Sequence, residues 1–98
     1  MPMPPVVLIN PFEVPEGKDE EFLAEWEAAK AFMKRQPGYI STRLHRSLVP
    51  NARFRFINVA EWETVAHFQA ALNHPEFIKL REATPFPHFP AVYEVMRT

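Results

Sequence analysis

The stretch LINPFEVPEGKDEEFLAEW, residues 8–26, predicts a strand, a turn and the start of a helix. In the strand, residues 6–14, even-numbered and odd-numbered side chains point to opposite faces. The turn PEGK follows, and apolar residues then recur every three or four positions over residues 18–36, as in an amphipathic helix. Asn10 and Pro11 interrupt the strand. Asn10 therefore lines a pocket or bonds the backbone at a bulge, and both can hold at once.

The rest of the chain repeats these two patterns. Alternation predicts three more strands, at residues 39–48, 53–62 and 91–96. Helical spacing predicts two more helices, one at residues 63–72 and one from Pro75 onward. Thr64 and His74 are the expected N-caps of these helices. The order βαββαβ is that of a ferredoxin-like α+β fold, an antiparallel sheet of strand order 4-1-3-2 with the helices on one face. The first and third strands are expected to be neighbours and parallel.

The composition excludes several classes of function. The 98 residues fit one domain, 1–98, and the net charge of −1 comes without a basic tract, so no nucleic acid and no membrane is an expected partner. The chain has no cysteine, which excludes disulfides, thiolate metal sites and cysteine nucleophiles. The N-terminus MPMPPVVLIN lacks the charged segment and the long apolar run of a signal peptide, and a cytoplasmic location is expected.

The face of the predicted sheet away from the helices is apolar. It carries Val7, Ile9, Ile57 and Val59, which no helix of this fold covers. Since a chain of this size buries apolar surface inefficiently by itself, a partner sheet is expected there. The pattern predicts a homodimer formed through the sheet faces.

Two segments resemble a known family. Residues 36–48, QPGYISTRLHRSL, and residues 53–77, RFRFINVAEWETVAHFQAALNHPEF, are similar to the antibiotic biosynthesis monooxygenase (ABM) domain family, and the resemblance extends over nearly the whole chain. It implies a dimeric α+β barrel. The family includes monooxygenases that oxidise aromatic polyketides or quinols without a cofactor, and also haem-degrading enzymes.

Polar groups are expected on the sheet face under the helices. Asn10, Asn58 and Trp62 lie on the even-numbered face of their strands, together with the apolar residues Phe12, Val14, Phe54 and Phe56. An apolar cleft with a few convergent polar groups is typical of a site for a small hydrophobic or aromatic ligand. The alternatives are that each asparagine bonds local backbone and that Trp62 is a core residue.

The resemblance also implies roles for individual residues. Asn58 and Trp62 match, in type and spacing, an Asn/Trp pair of the polyketide-oxidising members, which add a tyrosine and an arginine. Phe68 occupies the tyrosine position, and Arg81 is the nearest candidate for the arginine. The implied catalytic residues are Asn58, which orients the substrate oxygen, Trp62 and Arg81, which stabilises negative charge. The expected substrate-binding residues, acting without a metal or other cofactor, are Asn10, Phe12, Phe56, Phe68 and His88.

The remaining titratable residues form no recognised catalytic pattern. His45, His67, His74 and His88 lack metal-ligand spacing; His67 is expected on a solvated helix face and His88 at the mouth of the cleft. The acidic run at residues 20–27 is also expected to be a solvated helix face rather than a catalytic site.

Three functions stay open. The first is a cofactor-independent monooxygenase acting on a small electron-rich aromatic or quinol. The second is a non-catalytic, stress-related dimeric barrel that binds a small hydrophobic ligand. The third is haem binding or degradation, because Asn10 falls at the N-terminal asparagine of the haem-degrading branch. That branch's catalytic tryptophan and axial histidine positions hold Ala71 and Arg81 here, and haem needs an axial ligand.

Overall fold

A computed structural model describes residues 4–98 and confirms the ferredoxin-like α+β fold. Its elements in chain order are β1 (Val6–Phe12), α1 (Asp19–Met33), β2 (Tyr39–Arg46), β3 (Phe56–Trp62), α2 (Val65–Leu72), α3 (Pro75–Ala83) and β4 (Ala91–Tyr93). The four strands form one antiparallel sheet in the order β2-β3-β1-β4. The prediction that the N-terminal segment is not a signal peptide includes residues 1–3, which lie outside the described residues.

The direction of β3 corrects one prediction. β1 and β3 are neighbours, as expected, but they run antiparallel. The reason is topological: a helix separates β1 from β2, which lets both run the same way, while β3 returns from β2 through a turn and so runs against both. This pairing places Asn10 directly opposite Asn58. The predicted bulge at Asn10 and Pro11 is wrong as well, because the register with β3 is unbroken there and shifts instead on β2, between Tyr39 and Ser41.

A loop takes the place of β4 beside Pro11, and this accommodates the proline. The Phe89 N–H donates to the Pro11 carbonyl at 3.1 Å, and the Glu13 N–H donates to the Pro87 carbonyl at 3.0 Å. The N–H and C=O of one strand residue point to the same side. The N–H that Pro11 lacks would therefore face this loop and not β3, so the ladder with β3 loses no hydrogen bond.

The even-numbered face of the sheet packs on the helices. Two clusters of buried side chains fill this layer, one around Leu8, Phe32, Ala60, Trp62, Phe68 and Ala71, the other around Phe22, Phe56 and Phe86. Burying one such phenylalanine is worth about 1.5–3 kcal/mol. Trp62, 1 % exposed, is the most deeply buried of them. β3 begins at Phe56 rather than at residue 53, because the chain turns at residues 50–51, with Asn51 at φ 60°, and bends again at residues 53 and 55.

Both predicted helix caps are confirmed. The Thr64 hydroxyl accepts a hydrogen bond from the His67 N–H at 3.1 Å, and His74 Nδ1 accepts one from the Glu76 N–H at 3.1 Å. His67 is half-buried rather than solvated, since its imidazole lies against Gly38 and its Nδ1 is 2.7 Å from the Thr64 hydroxyl. The expectation for His67 was therefore wrong.

The odd-numbered face of the sheet has no helix on it among residues 4–98. Val7, Ile9, Ile57 and Val59 lie there, each half-buried by its neighbours within the sheet. β2 adds Arg43 and His45 to this face, opposite Val59 and Ile57. In the part of the chain that is described, no helix is long and apolar enough to cross a membrane.

Gly38 provides a first prediction. It adopts φ +86°, and a Cβ at this position would overlap the Cβ and Cγ atoms of His67. Gly38→Ala should therefore add a steric clash to the cost of a positive φ, which alone exceeds about 1 kcal/mol. Gly17→Ala is the matched control, because Gly17 has φ +85° and open space around it. Thermal unfolding should show a larger drop in Tm for Gly38→Ala; an equal drop would show that the contact with His67 costs nothing.

The ion pair between Asp19 and Arg55 gives a second prediction. Arg55 Nη2 donates to Asp19 Oδ2 at 2.9 Å, and this hydrogen bond lowers the pKa of Asp19. A lowered folded-state pKa contributes stability above the ordinary carboxyl pKa, and that stability is lost as the pH falls through the folded value. Asp19→Asn should lower Tm at neutral pH and match the unmodified protein in strong acid. Glu20→Gln, an exposed neighbour in the same helical turn, should show no such convergence.

Candidate functional site

A cavity of about 170 Å³ lies between the even-numbered face of the sheet and the three helices. Its floor consists of residues from β1 and β3, namely Leu8, Asn10, Phe12, Asn58, Ala60 and Trp62. A dry engineered cavity of about 150 Å³ holds one benzene molecule, so this space suits a compact aromatic molecule. The walls are largely apolar, and a small number of polar side chains enter from several different elements.

Asn58 is held by side chains from two other elements. Its Oδ1 accepts hydrogen bonds from Trp26 Nε1 on α1 at 3.3 Å and from the Thr42 hydroxyl on β2 at 2.7 Å. An indole N–H can only donate, so the amide atom that faces it must be the oxygen. No acceptor within residues 4–98 takes the Nδ2 hydrogens. The amide N–H of Asn58 is thus available to a ligand, and the local-backbone alternative does not apply to its side chain.

Asn10 lies opposite Asn58 but is not held in the same way. Its Oδ1 is buried, and no described residue donates a hydrogen bond to it. Leaving a buried acceptor unsatisfied costs about 1–3 kcal/mol. A bound molecule with a hydroxyl or N–H group at this position would remove that cost. Asn10 therefore lines the pocket, and the bulge that would have explained it otherwise is absent from the β1–β3 register.

The aromatic wall is built around Trp62. Its indole meets the rings of Tyr39 and Phe68 edge to face, at centroid distances of 5.7 and 5.5 Å. Trp62 is at once a core residue and a wall of the cavity, so the two interpretations of it are compatible. At the other end of the cavity, His88 stacks on Phe12 at 5.8 Å, while its Nδ1 lies 3.0 Å from the Phe86 carbonyl.

Phe56 differs from the other expected substrate-binding residues. It is 3 % exposed and stacks on Phe22 at 4.6 Å, and it does not line the cavity. Phe22 takes its place on the wall. Asn10, Phe12, Phe68 and His88 all lie on the wall, together with Asn58, Trp62 and Arg81.

Two charged residues on the cavity wall were not expected there. Glu25 and Lys30, both on α1, line the cavity, and Lys30 Nζ lies 5.4 Å from the centre of the Trp26 ring. Glu25 was assigned to a solvated face, yet its Oε2 is buried and has no hydrogen-bond partner in the described chain. The signal was its spacing, three residues after Phe22 and four before Ala29, which puts it on the apolar stripe of the helix.

Tyr39 is a further residue that pattern reasoning missed. It starts β2, lines the cavity beside Trp62, and burial raises the pKa of its hydroxyl. The group therefore stays protonated near neutral pH and can donate a hydrogen bond. Among the described residues no group of three or more His, Cys, Asp or Glu side chains is arranged to hold a metal ion.

Comparisons with known proteins bear on this site. The family model "antibiotic biosynthesis monooxygenase" matches residues 5–83, whereas no curated protein matches the chain by sequence. A solved structure named "putative monooxygenase" from Shewanella loihica PV-4 is 42 % identical, with a TM-score of 0.84 and 96 % of each chain covered. SnoaB, a cofactor-independent oxygenase from Streptomyces nogalater, is 26 % identical, with a TM-score of 0.84, and the match covers 98 % of this chain and 97 % of SnoaB.

A third solved structure has a different ligand. It is a mutant of MhuD with two manganese protoporphyrin IX molecules bound per active site; it is 28 % identical, has a TM-score of 0.73, and the match covers 96 % of this chain and 97 % of MhuD. Like the two structures above, it matches this chain over nearly its whole length. The family match over residues 5–83 shows that the chain belongs to the antibiotic biosynthesis monooxygenase family.

Proposed function

We propose that this protein is a cofactor-independent monooxygenase that oxidises a small electron-rich phenol or quinol with O2 inside the cavity. The observation that carries the proposal is the Asn58 side chain, which is held from two sides so that its amide N–H is free inside an aromatic cavity. The similarity to SnoaB, which is named as a cofactor-independent oxygenase, supports it.

The substrate itself supplies the electrons in this reaction. A phenol with a hydrogen on the ring carbon opposite its hydroxyl becomes an electron-rich anion when it loses its proton, and this anion can add O2 at that carbon. One oxygen atom then stays on that carbon as the second carbonyl of a quinone, and the other leaves as water with the two hydrogens that the phenol loses. Electrons and atoms balance without an external reductant. The protein has to bind the ring, stabilise the anion and exclude water.

Named residues can meet these needs. The amide N–H of Asn58 stabilises the negative oxygen, and so does the guanidinium of Arg81, an exposed residue that reaches the cavity wall and forms no ion pair within residues 4–98. Trp62 and Phe68 hold one side of the ring, and Phe12 with His88 closes the far end. Preorganised donors of this kind act most strongly where water is excluded. A volume of about 170 Å³ selects a substrate of one or two rings.

The protein is further proposed to act as a homodimer paired through the odd-numbered face of the sheet. Ile9 and Val59 are cross-strand neighbours at the centre of this face, and Val7 and Ile57 extend the apolar surface. A two-fold pairing of two such faces buries the same residues on both chains. The location of the dimer in the cytoplasm is a separate expectation from composition alone.

A second candidate is a non-catalytic protein that binds a small hydrophobic ligand. Phe68 favours it. The resemblance implies a tyrosine at this position in the polyketide-oxidising members, and α2 here carries phenylalanine instead. Haem is disfavoured because Arg81 stands where the resemblance places the axial histidine of the haem-degrading branch, and haem needs an axial ligand.

Oxygen uptake by the purified protein, measured against a panel of one- and two-ring phenols and quinols, is the direct test. We expect uptake above the no-protein control, and we expect Asn58→Ala to lower kcat by about 10²–10³-fold through loss of one donor to the oxyanion. Asn73→Ala, an exposed asparagine after α2, is the matched control and should retain full activity. No uptake across the panel would favour the binding protein, which a ligand thermal-shift screen would then detect.

The dimer is tested by its apparent mass in solution. Val59→Lys places a charge at the centre of the proposed contact and should convert the dimer to monomer in analytical ultracentrifugation. Val65→Lys, on the exposed surface of α2, makes the same change elsewhere and should leave the dimer intact. A dimer that survives Val59→Lys would place the contact on another surface.

A further inference from the structure

We propose that Glu25 is the general base of this site, and that it accepts the proton from the hydroxyl group of the bound phenol. The inference rests on the proposed function, and it names the group that makes the reactive anion. It also defines one end of the ligand: a hydroxyl donor must meet Glu25, while the Asn58 amide remains free to hold the resulting oxygen anion.

The sequence of α1 carries Glu25 into the cavity. Phe22, Trp26, Ala29 and Met33 recur at helical spacing and line the cavity wall. Glu25 lies between them on the same stripe, whereas Glu21 and Glu27 on the other faces of the helix are exposed. The position of Glu25 on the helix, and not the residues next to it in sequence, therefore distinguishes it from the other glutamates of the acidic run.

Its environment lacks what a structural carboxylate normally has. Glu25 Oε2 is buried, and nowhere in the described chain does a donor reach it. Lys30, five residues further along the helix, lies over the Trp26 ring instead. Buried carboxylates that serve stability are paired or hydrogen-bonded. An ionised carboxylate can only accept hydrogen bonds, so this oxygen demands a donor. Asn10 Oδ1 is buried without a partner on the same cavity and makes the same demand.

The other titratable groups of the cavity serve this role less well. Burial raises the pKa of Tyr39, which therefore stays protonated and donates. His88 Nδ1 lies 3.0 Å from the Phe86 carbonyl, and its ring stacks on Phe12. Lys30 and Arg81 are cations and stabilise the anion rather than take up a proton. Glu25 is the one carboxylate on the wall of this cavity as the described residues form it.

The proton transfer balances simply. The O–H bond of the phenol breaks, the proton bonds to Glu25 Oε2, and the electron pair stays on the phenol oxygen, facing Asn58. O2 adds to the ring carbon opposite that oxygen, and Glu25 returns its proton to the peroxide that forms on the substrate. This return of the proton restores the carboxylate. Loss of water from the hydroperoxide then gives the quinone: the C–H and O–O bonds break, and the proton leaves with the outer oxygen as water.

The test compares Glu25→Gln with Glu27→Gln, which removes the same charge from an exposed position two residues away. At a pH where the substrate phenol is protonated in solution, Glu25→Gln should lower kcat by about 10²–10⁴-fold with little change in KM. The loss should shrink as the pH rises above the pKa of the free phenol, because the substrate then arrives as the anion. Glu25→Asp, which withdraws the carboxylate by one methylene, should keep part of the activity.

A second measurement needs no O2. Under anaerobic conditions, 4-nitrophenol reports its ionisation by colour, and the unmodified protein should bind the protonated form in preference to the phenolate. Glu25→Gln should lose that preference, and its Tm should be unchanged or higher, since the carboxylate oxygen Oε2 has no hydrogen-bond partner in the described chain that the substitution could break. An unchanged preference, or an unchanged kcat at every pH, would overturn the role of Glu25. No O2 uptake by the unmodified protein would instead overturn the proposed function, and with it the catalytic part of this role.

Discussion

The two hydrogen bonds to Asn58 Oδ1 join three elements around one cavity. Trp26 reaches down from α1, Thr42 comes from β2, and Asn58 itself lies on the adjacent strand β3. Because the oxygen is occupied twice, the amide group cannot rotate, and its N–H has a fixed direction. The cavity is arranged around this amide: Asn10 is its cross-strand partner, and Trp62 lies four residues further along β3 on the same face. The site therefore belongs to the most regular part of the fold.

The cavity wall also carries two hydrogen-bond acceptors that have no donor among the described residues, in addition to the fixed N–H donor of Asn58. Asn10 Oδ1 and Glu25 Oε2 are buried on the cavity wall without partners within residues 4–98. Each costs folding free energy, because a buried acceptor without a donor has lost its hydrogen bonds to water. Both unsatisfied acceptors lie on one cavity, and the rest of the core in the described chain has none. A ligand that pairs with them explains this clustering best.

Much of this arrangement follows from local patterns. Alternation in the strands placed Asn10, Asn58 and Trp62 on one face, because a strand has only two faces and the apolar residues mark the buried one. Thr64 and His74 were recognisable as caps from their own chemistry. The direction of β3 was wrong because residue periodicity carries no information on strand polarity, which depends on the connections. The packing of Phe56 behind Phe22 depends on tertiary contact between β3 and α1, and no local pattern reports it.

Glu25 was missed for a different reason. A run of acidic residues is dominated by its charge, and charge runs on helices are usually solvated. Helical spacing contained the contrary signal, since the position of Glu25 between Phe22 and Ala29 is that of a buried residue. Where a charge occupies a position that the spacing assigns to the core, the two rules conflict. Such conflicts between local rules are expected at functional sites, where stability is given up for chemistry.

The proline-rich loop after α3 fixes one end of the cavity. Backbone hydrogen bonds attach residues 87–89 to the end of β1, and Phe86, 4 % exposed, is buried against Phe22. His88 is thereby set on Phe12 and closes one end of the cavity. Prolines restrict the backbone on both sides of His88. Little conformational entropy is left for a ligand to remove, so the binding free energy is not spent on ordering this wall. Discrimination among ligands then depends on their size and on the positions of their polar groups.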